Sequence, residues 1–164
     1  MFRWGWIAIV VVVLDQVSKF WVVKELLAAP VRVLPVLNLV LSYNRGSAFG
    51  FLDQAGGWQN IMFMIIAVVV SVIIVLMIRS LGPREFQTRI GLWMILGGAL
   101  GNLIDRIRLG HVIDFIQFHI GDWSFWVFNL ADSAITVGAI LLALDVIGVS
   151  LLRPRSTETG NHAH

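Results

Sequence analysis

Three aspartates lie at the ends of apolar segments, where ionisable side chains are unusual: Asp105, Asp114 and Asp132. Two carboxylates brought together in a poorly hydrated place cannot both ionise easily, so one keeps a proton while the other can accept one. Such a pair can activate water and protonate a leaving amine, which is the chemistry of aspartic proteases and needs neither a covalent intermediate nor a metal. The residues alone leave open which two aspartates form the pair.

Each aspartate also has an explanation that involves no chemistry. Asp114 lies between apolar residues in a predicted loop, where an exposed acid is ordinary. Asn129 has the residue type of a helix N-cap, and Asp132 would then be a first-turn acid that suits the helix dipole. The expected position of all three aspartates at one membrane interface favours a site.

Further polar residues lie near these acids. Asn102, Asp105 and Arg106 are spaced i, i+3 and i+4, so one helical face presents an amide, a carboxylate and a guanidinium. The alternative is a solvated helix end from which the arginine extends into water. Nearby, Gly97 and Gly101 form a GxxxG pair, which predicts close helix packing.

Asp15 and Lys19 are four residues apart in the first apolar segment and can pair on one helical face. A structural ion pair and a direct role with substrate both remain open. Ser18 is adjacent to Lys19, but adjacent helical residues do not face each other, so we set aside a serine–lysine nucleophile. The segment Asn44-Arg45-Gly46-Ser47-Ala48-Phe49-Gly50 is rich in ordinary turn residues.

The composition requires lipid as the solvent. Of 164 residues, 58% are hydrophobic and 13% charged, and the mean hydropathy is +0.85, which exceeds what a soluble domain of this size can bury. There is no cysteine, so disulfides and thiol nucleophiles are excluded. The twelve basic residues form no block that would bind nucleic acid. Isolated His111 and His119 make a metal site a weak alternative.

Four apolar stretches each have about the length of a membrane span. We expect one integral membrane domain over residues 1–152, followed by a disordered cytoplasmic tail, 153–164. Arg3 and the apolar run after it also resemble a signal peptide, but Asp15 interrupts that run and we expect the segment to be retained. The expected spans are residues 4–23, 61–78, 90–107 and 131–152.

The distribution of basic residues predicts the orientation. Lys and Arg are equally numerous on the two sides, but on one side few acids accompany them, which places both termini in the cytoplasm. The two longer loops then lie outside. Their β-branched and aromatic residues predict short strands within Val31–Tyr43, Phe115–Ile120 and Ser124–Phe128, the last two joined by a turn at Gly121-Asp122.

Across nearly its whole length the sequence resembles the bacterial lipoprotein signal peptidases, also called signal peptidase II. Five matching pieces follow the family's order. They are Asp15–Lys19, Asn44–Gly50, Gly97–Arg106, Val112–Phe115 and Phe128–Asp132.

This resemblance implies an inner-membrane aspartyl endopeptidase that cleaves diacylglyceryl-modified prolipoproteins just before the lipidated cysteine. It implies an all-α membrane protein, with four transmembrane helices and a small extracytoplasmic β-cradle from the outer loops, that is inhibited by globomycin. We expect a monomer without a cofactor. The implied catalytic pair is Asp114 and Asp132; the implied substrate-binding residues are Asn44, Asn102, Arg106 and Asn129; and the site-supporting residues are Asp15, Lys19, Gly46 and Asp105. We expect Asp105 to support Arg106.

Two other classes compete with this interpretation. A small transporter would use Asp15, Lys19, Asp105 and Arg106 as an ion or proton path, and Asp114 would then be dispensable. A structural membrane subunit would explain the glycines but not the acids. Neither alternative predicts the ordered motifs.

Overall fold

A computed structural model describes residues 3–25, 30–46, 58–121 and 123–152 of the chain. The predicted disordered tail, the Ser47–Gly50 part of the glycine-rich segment and Asp122 of the predicted turn lie outside these ranges. Within them the chain forms four helices and four strands. In chain order these are α1 Trp6–Glu25, β1 Val31–Leu34, β2 Leu37–Asn44, α2 Trp58–Ser80, α3 Phe86–Leu109, β3 Val112–Ile120, β4 Trp123–Phe128 and α4 Leu130–Val146.

Three of the helices, α1, α2 and α3, are long and apolar enough to cross a membrane. Helix α2 exposes most of its apolar side chains, including Ile65, Val69 and Ile73, as a helix does when lipid is its solvent. Helix α3 is the most buried of the three and packs against each of the other helices. The bundle is therefore built around α3.

Helix α4 ends at Val146, six residues before the predicted end of the fourth span. The N–H of Ile147 still makes a helical bond to Ala143 O, but the next residue, Gly148, has a φ of +79°. A positive φ is readily adopted by glycine and does not continue an α-helix. The prediction of a helix to residue 152 was wrong for this reason.

The segment that follows α4 is held by Gln87, a buried residue in the first turn of α3. Gln87 Oε1 accepts hydrogen bonds from the N–H groups of Leu151 and Leu152, at 2.7 and 3.3 Å. Gln87 Nε2 donates to Leu141 O and Val149 O. One side chain thus connects the helix to the segment that follows it and supplies partners for backbone groups of that segment.

The predicted close packing at the two glycines is confirmed. A methyl group added to Gly97 would lie 2.9 Å from Ala8 Cα, and one added to Gly101 would lie 2.7 Å from Asp15 Oδ2. Real side chains cannot approach so closely, so the absence of a Cβ lets α3 contact α1 directly. This contact brings Asp15 against the middle of α3.

The strands form one antiparallel sheet in the order β1-β2-β3-β4. Strands occur in both of the loops for which they were predicted. Strand β3 begins at Val112, three residues before the predicted start at Phe115, so Asp114 is a strand residue. Its side chain is buried, and the exposed-loop explanation of Asp114 was wrong. Because α3 leads into β3 and β4 leads into α4, the sheet lies at the end of the bundle where these helices meet.

Candidate active site

A single buried amide, that of Asn129, joins two aspartates. Its Nδ2 donates to Asp114 Oδ1 at 2.6 Å, and its Oδ1 accepts the N–H of Asp132 at 2.9 Å. Asp132 Oδ2 in turn accepts the backbone N–H of Asn129 at 3.3 Å, which completes a capping box at the start of α4. The predicted N-cap is therefore confirmed, and the same cap brings Asp132 beside the residue that holds Asp114.

The register of the β3–β4 hairpin explains why Asn129 lies beside Asp114. Ile116 pairs with Phe128, so the chain leaves β4 at Asn129 alongside the beginning of β3, where Asp114 lies. An irregularity between Gln117 and His119 shifts the pairing along the hairpin. The position of Asn129 relative to Asp114 thus depends on a local irregularity that the sequence pattern does not reveal.

Asn102 on α3 binds the other carboxylate oxygen of Asp132. Asn102 Nδ2 donates to Asp132 Oδ1 at 2.8 Å, while Asn102 Oδ1 accepts from Asn129 Nδ2 and from Lys19 Nζ, each at 3.0 Å. The side chain of Asn102 is 8% exposed. It connects the aspartates to a buried cation.

Lys19 lies between two carboxylates, with Nζ at 2.8 Å from Asp15 Oδ2 and 2.7 Å from Asp105 Oδ2. All three side chains are almost fully buried. Asp15 Oδ1 also accepts the N–H of Ala131, in the first turn of α4, at 3.0 Å. Because the contacts of the pair lie inside the protein, the geometry favours structural support of the site over a direct contact with substrate.

The structure gives Asp105 a different partner from the one we expected. Its sequence position suggested support for Arg106, but Asp105 instead binds Lys19, accepts from Gln16 Nε2 at 2.8 Å and accepts the N–H of Ile113 at 3.2 Å. Asp105 also interacts electrostatically with the Arg106 guanidinium, but its ion pair is with Lys19 of α1. Asp105 thereby joins α1 and α3 to the start of β3.

Gln16 was not among the predicted site residues. Its Nε2 donates to Asp105 Oδ1, and also to Asp15 Oδ2 and Gly101 O, both at 3.2 Å. The available signal was its spacing, since Gln16 and Lys19 are three apart and therefore share a helical face. Gln16 adds neutral donors to a cluster that contains more carboxylates than cations.

Asn44, at the end of β2, reaches Asp114 from the opposite side to Asn129. Its Nδ2 donates to Asp114 Oδ2 at 3.0 Å, and its Oδ1 accepts the N–H of Gly46 at 2.8 Å. Gly46 has a φ of +96°, a backbone conformation that residues other than glycine rarely adopt. The turn at Gly46 therefore orients the Asn44 amide towards the carboxylate.

Arg106 lies near the same carboxylates without a direct ion pair among the described residues. Its guanidinium interacts electrostatically with Asp132, Asp114 and Asp105. Its Nη1 donates to Asn102 O at 3.3 Å, and its Cζ lies 5.2 Å from the centre of the Phe63 ring. The structure thus groups all of the predicted site residues around Asp114 and Asp132, directly or through the Lys19 cluster.

Burial raises the pKa of Asp114 from 3.8 to about 6, and the charge of Asp132 adds to this effect. The hydrogen bonds from Asn44 and Asn129 and the charge of Lys19 act in the opposite direction. A raised pKa means that Asp114 keeps a proton more readily than an exposed aspartate does. Such a group, close to a second carboxylate, can exchange a proton near neutral pH.

Within the described ranges, no group of three His, Asp or Glu side chains is arranged to hold a metal ion. The polar atoms around the two aspartates are amides and one guanidinium. These features define the class: a helical membrane protein whose polar site contains a pair of aspartates.

The chain belongs to the signal peptidase II family. The family model described as Signal peptidase (SPase) II matches residues 7–148. A lipoprotein signal peptidase of Pseudomonas paraeruginosa (strain DSM 24068 / PA7) is 49% identical over 164 residues, covering 98% of this chain and 93% of the relative. One of Coxiella burnetii (strain Dugway 5J108-111) is 48% identical over 154 residues, covering 93% of this chain and 92% of the relative.

Solved structures agree with the fold. A bacterial membrane enzyme is similar with a TM-score of 0.78 and 28% identity, covering 95% of this chain and 94% of that chain. A second bacterial membrane enzyme is similar with a TM-score of 0.79 and 30% identity, covering 92% of this chain and 96% of that chain. The similarity therefore extends over the helices and the sheet together.

The buried charge cluster leads to a prediction about stability. We expect Lys19→Met to destabilise the protein by about 3–5 kcal/mol, because it leaves two buried carboxylates without their cation. Lys24→Met removes the same charge from an exposed position near the end of α1 and should have little effect. Unfolding in mixed detergent micelles measures both; equal stability of the two variants would contradict the structural role of Lys19.

The raised pKa of Asp114 predicts a pH dependence. The protonated carboxyl is favoured in the folded state, so its contribution to stability is full below pH 3.8 and is lost as the pH rises through about 6. The stability of the unmodified protein relative to Asp114→Asn should therefore fall by about 3 kcal/mol between about pH 4 and 7. Parallel unfolding curves of the two proteins measure the difference, and a difference independent of pH would refute the raised pKa.

Proposed function

We propose that this peptidase cleaves the signal peptide from diacylglyceryl-modified prolipoproteins just before the lipidated cysteine, with Asp114 and Asp132 as its catalytic pair. Membership of the signal peptidase II family establishes the class of enzyme. The observation that carries the catalytic assignment is the Asn129 amide, which contacts Asp114 through one atom and Asp132 through the other. The backbone N–H of Asn129 also donates to Asp132 Oδ2, so this one residue contacts both carboxyl groups.

The proposed reaction is general acid–base hydrolysis. One carboxylate removes a proton from water as the water oxygen bonds to the scissile carbonyl carbon, and the other carboxyl group donates a proton to that carbonyl. The C–N bond of the tetrahedral intermediate then breaks as the carboxyl group that took the water proton donates it to the nitrogen, which leaves as the amine. The other carboxylate takes back the proton of one hydroxyl of the intermediate as the carbonyl forms again. The proton that the two carboxyl groups share belongs to the pair and not to one aspartate, because two coupled carboxyl groups titrate together.

The surrounding side chains supply the remaining parts of the proposed site. Asn44, Asn102 and Asn129 hold the catalytic carboxyl groups in place. We propose that they line the site that receives the main chain of a bound peptide. Arg106 adds a positive charge beside the place where a carbonyl oxygen becomes negative during the reaction. The more deeply buried Asp15, Lys19 and Asp105 hold this arrangement from behind.

We propose four spans within one membrane domain over residues 1–152. Helix α4 has 17 residues, but the apolar chain after it reaches Leu152 with its backbone bonded to Gln87, which supports a fourth crossing because backbone groups in lipid need partners. Three arginines, Arg79, Arg84 and Arg89, lie on or near the α2–α3 connection, and this supports a cytoplasmic location of that end and of both termini. The sheet and the aspartates then lie near the outer face of the inner membrane.

This placement suits the proposed substrate. A signal helix and the acyl chains of a diacylglyceryl group both lie in lipid, so the bond between them is presented near the membrane interface. An enzyme that cleaves it needs carboxyl groups at that depth, with water supplied from the outer side. We propose that globomycin-type peptides compete for the same site, and that the enzyme works as a monomer.

The transporter alternative loses support from the geometry. An ion or proton path through Lys19 needs an opening, whereas Lys19 is 2% exposed and bonded to Asp15, Asp105 and Asn102. That alternative also leaves the bridge between Asp114 and Asp132 without a role.

Activity of aspartate variants tests the catalytic assignment. We expect Asp114→Asn and Asp132→Asn each to lower the cleavage rate of a lipidated precursor at least about a hundredfold, since each removes one acid–base group. Asp145→Asn is the matched control, because Asp145 lies at the other end of α4 and accepts a hydrogen bond from Thr88. Purified proteins in liposomes provide the measurement.

Unchanged cleavage by either catalytic variant would refute the pair. Retained α-helical circular dichroism and elution as a single species would show that an inactive variant is folded. A chelator added to the unmodified enzyme should leave the rate unaltered.

A further inference from the structure

Helix α2 contacts the site through two residues of one face. Asn60 and Phe63 are three apart and therefore lie on the same side of the helix. Asn60 Nδ2 donates to Arg106 O at 3.4 Å, and the Phe63 ring lies below the Arg106 guanidinium, 5.2 Å from centre to Cζ. Both contacts are made with the same residue, so α2 holds Arg106 by its backbone and by its side chain.

Phe63 also packs against the turn that follows β2. A methyl group added to Gly46 would lie 2.7 Å from Phe63 Cδ2 and 2.8 Å from Cε2, so the ring occupies the space beside the glycine. The N–H of Gly46 donates to Asn44, whose amide donates to Asp114. The ring therefore supports the turn that orients Asn44.

The interaction between the ring and the arginine is of a kind that strengthens away from water. Phe63 and Arg106 are both half-buried. A long arginine side chain at a membrane boundary otherwise extends towards the headgroups. Among the described residues the guanidinium has one hydrogen bond, to Asn102 O. The ring therefore adds to the attraction of the nearby carboxylates in holding the guanidinium, while its other N–H groups stay available to a ligand.

We propose that Phe63 is a positioning residue for substrate binding: its ring holds the Arg106 guanidinium and the Gly46 turn in the arrangement that receives the main chain of the precursor. This inference rests on the proposed function, because it gives Arg106 a contact with substrate. Phe63 acts through Arg106 and Asn44. Loss of the ring should therefore lower kcat/KM, because Arg106 contacts the precursor and also faces the oxygen that becomes negative during the reaction.

Substitution of the ring separates its electronic role from its volume. Phe63→Leu keeps an apolar side chain but removes the ring, and we expect it to lower kcat/KM for a lipidated precursor about tenfold. Phe63→Tyr retains the ring and should restore kcat/KM to near its original value. Phe20→Leu is the matched control, because Phe20 is 75% exposed on α1.

A series of fluorinated phenylalanines at position 63 gives the decisive measurement. One, two and then three ring fluorines weaken the attraction for a cation while nearly preserving the shape of the ring. We expect kcat/KM to fall with each added fluorine. A series without a trend would overturn the inference, because it would show that Phe63 acts by packing alone. If Phe63→Leu fails to fold, this series still decides the question.

The aspartate variants test the catalytic pair independently of the role of Phe63. If Asp114→Asn and Asp132→Asn are inactive and the fluorinated series shows no trend, the role of Phe63 is overturned and the proposed function stands. If either aspartate variant cleaves the precursor normally, the catalytic pair is overturned, whereas the fluorinated series still decides the role of Phe63.

Discussion

A buried ammonium group is the constraint on which the rest of the structure depends. Lys19 is 2% exposed, and a cation in such a place is tolerated only when opposite charge and hydrogen-bond acceptors surround it. Asp15 supplies one carboxylate from α1, and Asp105 supplies the other from α3. The second oxygen of Asp15 binds the backbone of α4 at Ala131. Removing Lys19 would leave two buried carboxylates without a cation, and removing either aspartate would take one acceptor from the ammonium group, so these contacts favour one arrangement of three helices.

The orientation of the site amides follows from this cation. Lys19 can only donate, so Asn102 presents its oxygen to Lys19 and its nitrogen to Asp132. Asn129 must present its oxygen to the N–H of Asp132 to cap α4, which leaves its nitrogen for Asp114. Each amide therefore has one direction that satisfies all of its neighbours. The carboxyl groups are held by a network whose polarity is set at Lys19.

Local patterns predicted much of this structure. Apolar length located α1, α2 and α3 within a few residues, the Asn129 cap was visible from residue type, and the Gly97–Gly101 spacing indicated the contact with α1. The end of α4, the strand position of Asp114 and the partner of Asp105 were not predicted correctly. In each of these cases the outcome depends on a contact with a distant residue, such as the bonds from Gln87 to the chain after α4.

By itself, the sequence determined that lipid is the main solvent, that the few polar residues are concentrated in ordered motifs, and that their types suit acid–base chemistry. It left three aspartates as candidates, and only the resemblance to a family chose between them. The tertiary structure decided which side chains meet: Asp105 turns towards Lys19, while Asp114 and Asp132 share Asn129. The physical reason is that helix period and strand alternation specify which face a residue occupies, whereas the register of β3 on β4 and the packing of α3 on α1 specify what lies opposite.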